Sequence, residues 1–104
     1  MNDIKVVTIC GSMRYAKEMM KISLELELKG YAVIQCSYES DGQKLETCDI
    51  EMLNKIHRKK IDVSDAIFVV NVDGYVGNST KNEIGYAKIA GKEILSLEPL
   101  GRIN

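Results

Sequence analysis

The chain has 104 residues, 45% of them apolar and 28% charged, and a formal net charge of −1. That length suits one domain spanning residues 1–104, able to bury roughly 65% of its unfolded surface. Lys and Arg are spread along the chain, which excludes a broad basic face for a nucleic-acid polymer. No stretch reaches the length of a membrane span and no signal-peptide core is visible, so the expected location is the cytoplasm, with no membrane partner.

Lys5-Val6-Val7-Thr8-Ile9-Cys10 is rich in β-branched residues and reads as a buried strand. It runs into a small-residue loop, Cys10-Gly11-Ser12-Met13-Arg14, and then into a helical pattern over residues 15–29 that stops at Gly30. The middle of that pattern, Ser23-Leu24-Glu25-Leu26-Glu27-Leu28, alternates with period two. Leu and Glu are strong helix formers, however, and the segment exceeds an ordinary strand, so a helix is expected. On it Met19, Ile22 and Leu26 share one face, while Met20, Leu24 and Leu28 form a second, nearly opposite row. A helix covering a sheet needs only one apolar face. The second row therefore points to a subunit interface and a homo-oligomer, the alternative being that neighbouring segments cover both rows.

Tyr31-Ala32-Val33-Ile34-Gln35-Cys36 is the second strand. Residues 37–44, containing Asp41-Gly42, read as a polar loop and a candidate flap, in which Tyr38 can stack on a base. Residues 45–60 read as a helix with Cys48, Met52, Leu53 and Ile56 inward. Its basic end, His57-Arg58-Lys59-Lys60, suits the helix macrodipole. Asp62 and Asp65 terminate it. Ala66-Ile67-Phe68-Val69-Val70-Asn71-Val72 is the third and most hydrophobic strand. A second small-residue loop follows, Gly74-Tyr75-Val76-Gly77-Asn78-Ser79-Thr80, in which Tyr75 is the other candidate for stacking. Ser79 or Thr80 can cap a third helix ending near Gly91, and Glu93-Ile94-Leu95-Ser96-Leu97 is the last strand.

The order β-α-β-α-β-α-β with continuous apolar strands is the signature of a parallel sheet covered on both faces. Right-handed crossovers give strand order 2-1-3-4, a small flavodoxin-like or Rossmann-like α/β fold. The switch point falls between the first and third strands, where ligands of such sheets bind, and the two small-residue loops follow those strands. Gly11, Ser12, Gly77 and Ser79 can offer backbone and hydroxyl donors to a phosphate or sugar, and Arg14 a charge-assisted bond. Asp73 is a further candidate ligand residue, unless it and Asn71 only shape the turn. Glu83, in the first turn of the third helix, is a candidate catalytic carboxylate or half of a capping box with Thr80. His57 is a lone histidine late on the second helix. Cys10, Cys36 and Cys48 are an odd set without CxxC spacing, and Cys10 and Cys36 read as buried thiols. With no Cys or His beside His57 in sequence, neither a metal site nor a cofactor is expected.

Several segments together resemble the nucleoside 2-deoxyribosyltransferase family, which includes the 2′-deoxynucleoside 5′-monophosphate N-glycosidases. They are Cys10 to Arg14, Ile61-Asp62-Val63-Ser64-Asp65-Ala66-Ile67-Phe68-Val69-Val70, Asn78-Ser79-Thr80-Lys81-Asn82-Glu83-Ile84-Gly85-Tyr86-Ala87, and Gly91-Lys92-Glu93-Ile94-Leu95. The likeness spans nearly the whole chain and looks most like short members from bacteria and phages. Its Glu-x-Gly-x-Ala helix is fairly specific, and its Cys-Gly-Ser-x-Arg loop resembles the monophosphate-cleaving branch.

The resemblance implies that Glu83 attacks C1′ of a 2-deoxyribose, expels the base and forms a glycosyl-enzyme ester. Water or a second base then resolves the ester with retention. It also implies that Gly11, Ser12, Arg14 and Ser79 hold the sugar or a 5′-phosphate of a nucleoside or nucleoside 5′-monophosphate, and that a neighbouring subunit completes the site. Two positions depart from the family pattern. Thr8 stands where the family has a tyrosine, and His57 where it has an acidic residue. A histidine can protonate a leaving base. The alternative reading is a nucleotide-binding module or sensor without catalysis, which needs Gly11, Ser12 and Arg14 but not Glu83. A third is an interaction protein working through the Met20-Leu24-Leu28 row.

Overall fold

The β-branched runs form a four-stranded, all-parallel sheet in the computed structural model, which describes residues 3–38 and 44–101. In chain order the elements are β1 (Val6–Gly11), a 3-10 turn (Met13–Tyr15), α1 (Ala16–Leu28), β2 (Ala32–Ile34), α2 (Thr47–Asp62), β3 (Ala66–Val70), a second 3-10 turn (Val72–Gly74), α3 (Asn78–Ile89) and β4 (Glu93–Ser96). The sheet order is β2-β1-β3-β4, as right-handed crossovers require. Gly11 lies opposite Val70, so β1 and β3 end level and release their loops at the same edge.

Strand alternation divides the core between the two faces of the sheet. Ile9 and Val70 pack with Met19, Ile22 and Leu26 of α1. Cys10, Ile67 and Val69 pack on the other face with Ile61 of α2 and Ile84 and Ala87 of α3. The Met20, Leu24 and Leu28 row on α1 stays exposed.

Two polar knots fasten the elements that frame the switch point. Thr8, fully buried, shares a 2.6 Å hydrogen bond with Ser64, and its hydroxyl donates to the Lys60 carbonyl at 3.1 Å. This ties the C-terminal end of α2 to the middle of β1. Asn71 clamps the chain after β4: its Nδ2 donates to the Glu98 carbonyl and its Oδ1 accepts from the Glu98 N–H, each at 2.9 Å.

Several boundaries differ from expectation. The first helix begins with a separate 3-10 turn capped by Ser12, whose Oγ accepts from the Arg14 N–H at 3.2 Å. The second strand is only Ala32–Ile34, an edge strand paired on one side. The face of α2 is corrected most: Cys48, Met52 and Ile56 are exposed, and His57 and Ile61 are its buried residues. The residues of α2 that turn toward the sheet edge border an open cleft rather than core, so apolar spacing gives the wrong phase. Gly77, not Ser79 or Thr80, occupies the N-cap of α3. Glu83 therefore lies in the second turn, and the capping box with Thr80 does not form. Most of the candidate flap, residues 39–43, lies outside the described residues.

Candidate active site

A cleft of about 440 Å³ opens where β1 and β3 end. Its floor comes from Gly11 at the end of β1 and Ser12 just after it, and one wall from Tyr75, Gly77, Asn78, Ser79 and Glu83. The opposite wall is the α2 face made by Leu53, Asn54, His57 and Lys60, with Cys36 and Ser37 beyond the end of β2. Spacings of three and four along α2 place those side chains on one stripe.

Glu83 is the one carboxylate among the described residues lining the cleft, and its side chain is 21% exposed. Burial raises its pKa from the ordinary carboxylate value to about 7, against a smaller opposing effect of a hydrogen bond from Cys10. His57 Nε2 lies 3.6 Å from Glu83 Oε1 and 3.4 Å from Cys10 Sγ. Burial, assisted by the Lys60 charge, lowers the His57 pKa to about 4. The imidazole is therefore neutral at neutral pH. Burial also holds the Cys10 thiol well above its ordinary pKa, with the Glu83 charge adding to the effect. All three groups favour their neutral forms, so the Glu83–His57 contact is not a full ion pair at neutral pH.

The first turn of α3 presents its N–H groups without a side-chain cap, since Gly77 has none to offer. Asn78, Ser79 and Thr80 line the cleft beside those donors. A sugar hydroxyl or an anion can accept from them.

Of the residues expected from sequence, Gly11, Ser12, Gly77, Ser79, His57 and Glu83 all border the cleft. Arg14 stands at the rim, its guanidinium 4.4 Å above the ring of Tyr75, which also packs edge-on to Tyr15 at 6.1 Å. Asp73 is not brought into the cleft. It is an exposed turn residue with φ of 54°, and its N–H donates to Glu98 Oε2 at 2.6 Å. Tyr38 packs against the α1 cluster, which leaves Tyr75 as the stacking candidate on this cleft. Thr8 turns to Ser64 and Lys60 rather than to Glu83.

Cys10, Asn54 and Lys60 are site residues that the sequence reading missed. Cys10 was legible in principle, because strand alternation puts it on the same face as Thr8 and nearer the strand end. Lys60, hidden within a basic helix end, lines the cleft while its Nζ donates to the Gln35 carbonyl at 2.8 Å.

No protein-family model matches the chain, and no curated protein matches it in sequence. Solved structures do. A 2-deoxyribosyltransferase from Bacillus psychrosaccharolyticus superposes with a TM-score of 0.68 and 19% identity, over 95% of this chain and 76% of that one. A conserved protein from Enterococcus faecalis V583 superposes with a TM-score of 0.60 and 13% identity, over 89% of this chain and 62% of its own. At these identities the likeness establishes the fold.

Proposed function

We propose that this chain cleaves or transfers the N-glycosidic bond of a nucleoside or nucleoside 5′-monophosphate, with Glu83 as nucleophile. The observation that carries the reading is the placement of Glu83: a largely buried carboxylate at the switch point, one turn beyond uncapped helix donors, in a fold shared with a 2-deoxyribosyltransferase. The carboxylate attacks C1′, and the C–N bond breaks with its electron pair leaving on the base. The glycosyl ester on Glu83 is then attacked at C1′ by water or a second base, which frees Glu83 with net retention.

Ser12, Ser79 and the α3 N–H groups hold the sugar and any 5′-phosphate, and Arg14 on Tyr75 adds a cation at the rim. The neutral His57 positions the Glu83 carboxylate. The proton taken up by the leaving base comes through the open cleft rather than from an imidazolium. The exposed Met20-Leu24-Leu28 row joins subunits into a homo-oligomer.

Incubation with a panel of nucleosides, 2′-deoxynucleosides and their 5′-monophosphates, with free base read by chromatography, tests the reading. Release by the native chain that falls at least a thousandfold in Glu83→Ala is the expected result. Binding of panel members without release from any of them would move the chain to a nucleotide-binding module.

A further inference from the structure

The cluster that surrounds Glu83 also has the composition of a metal site. Cys10 Sγ, His57 Nε2 and a Glu83 carboxylate oxygen come from three different elements, and no two of these atoms are more than 4.8 Å apart. The Cys10 and Glu83 contacts both converge on the same ring nitrogen, at 3.4 and 3.6 Å. A nucleophile–histidine–carboxylate relay uses the two different ring nitrogens. Convergence on one nitrogen does not make such a relay.

It is, instead, the arrangement of ligands around a common centre. With Zn–S of about 2.3 Å and Zn–N and Zn–O of about 2.0–2.2 Å, tetrahedral geometry sets ligand atoms roughly 3.3–3.6 Å apart. The two edges at His57 already have that length. Movement of the Glu83 carboxylate by about 1 Å closes the third edge.

We propose that Cys10, His57 and Glu83 form a three-ligand site for a borderline-soft divalent cation of the zinc class, with its fourth position open to the cleft. The donor set suits that class: one thiolate, one neutral imidazole and one carboxylate. A thiolate and a carboxylate together cancel the charge of a divalent ion, so the filled site is neutral in its buried setting. Cys10 binds after its thiol proton passes to solvent. The site goes beyond the glycosyl chemistry proposed above and competes with it: while the cation is bound Glu83 serves as a ligand, and the cation-free carboxylate is the form that attacks C1′.

Cobalt(II) titration tests this independently of turnover. The protein is the full chain carrying Cys36→Ser and Cys48→Ser, so that Cys10 is its only thiol. One equivalent of Co2+ should produce a thiolate-to-cobalt charge-transfer band and tetrahedral visible bands, both bleached by Zn2+. Adding Cys10→Ser should remove the charge-transfer band. Glu83→Gln, which keeps the size of the side chain and removes its charge, should weaken Co2+ binding at least tenfold while the circular dichroism spectrum stays that of the native fold. No charge-transfer band in the protein that keeps Cys10, or Co2+ affinity unchanged by Glu83→Gln, would overturn the proposal.

Discussion

Glu83 and His57 hold protons in the reverse order from free side chains, and this has consequences for rate and for stability. The folded chain keeps a proton on Glu83 up to about pH 7, whereas an ordinary glutamate releases it near 4.5. As nucleophile, Glu83 should therefore give a kcat/KM that rises about tenfold per pH unit below pH 7 and levels off above it. No second rise near pH 4 is expected from His57 once Glu83 is protonated. A profile already flat from pH 5 to 8 would contradict the assignment.

For stability the two groups oppose each other. The Glu83 contribution is fully present below pH 4.5 and is lost as pH rises through about 7. The His57 contribution is present above pH 6.5 and is lost as pH falls through about 4. Between 4.5 and 6.5 the folded chain has merely moved a proton from histidine to glutamate, and the slopes cancel. In Glu83→Gln only His57 titrates, so stability should climb by about 1.4 kcal/mol per pH unit across that window. Urea unfolding at several pH values, with chelator present, checks this. Equal pH dependence in native and variant chains would contradict it. Glu83 was legible in sequence because a carboxylate follows a small-residue loop. Its pKa was not, because burial comes from β1 and α2, which are distant in the chain.

At the level of elements, strands and crossovers were readable, and helix faces were readable only where they meet the sheet. Met19, Ile22 and Leu26 of α1 were correctly placed because they press on β1 and β3, where apolar spacing and burial agree. The α2 face was misread because the stripe with Asn54, His57 and Lys60 borders a cleft and so carries polar residues, with His57 buried among them. A face that lines a cleft breaks the rule that apolar means inward.

Gly11 shows a similar mixing of structure and site. A Cβ there would meet Met19 Sδ at 2.9 Å and the Val70 carbonyl oxygen at 3.3 Å. Its smallness thus serves the packing of α1 and β3 as well as the cleft floor. Gly11→Ala should destabilise the fold by about 1–3 kcal/mol in urea titration. No measurable loss would show that α1 yields freely at Met19. Thr8→Val should loosen the α2 end by about 1–2 kcal/mol, by leaving the buried Ser64 hydroxyl with one partner fewer.

For the whole molecule, strand order 2-1-3-4 brings together loops more than sixty residues apart in the chain, and the switch point coincides with the cleft. That architecture followed from periodicity and right-handed crossovers alone. No helix among the described residues is long and apolar enough to cross a membrane. Met20, Leu24 and Leu28 are 47%, 60% and 79% exposed, an apolar row on the surface of α1. Leu24→Lys should convert the proposed homo-oligomer to monomer in sedimentation equilibrium with little change in secondary structure. Native chain sedimenting as a monomer at high micromolar concentration would remove the oligomer from the account.

The account turns on whether Glu83 forms a covalent bond to sugar, and intact-mass spectrometry reads that bond directly. A reaction with the preferred member of the nucleoside panel is quenched in acid during turnover, and the adduct is mapped by peptide. The expected result is a single pentosyl addition on the peptide containing Glu83, absent from Glu83→Ala. Base release without any adduct, or an adduct on another residue, would contradict the central claim.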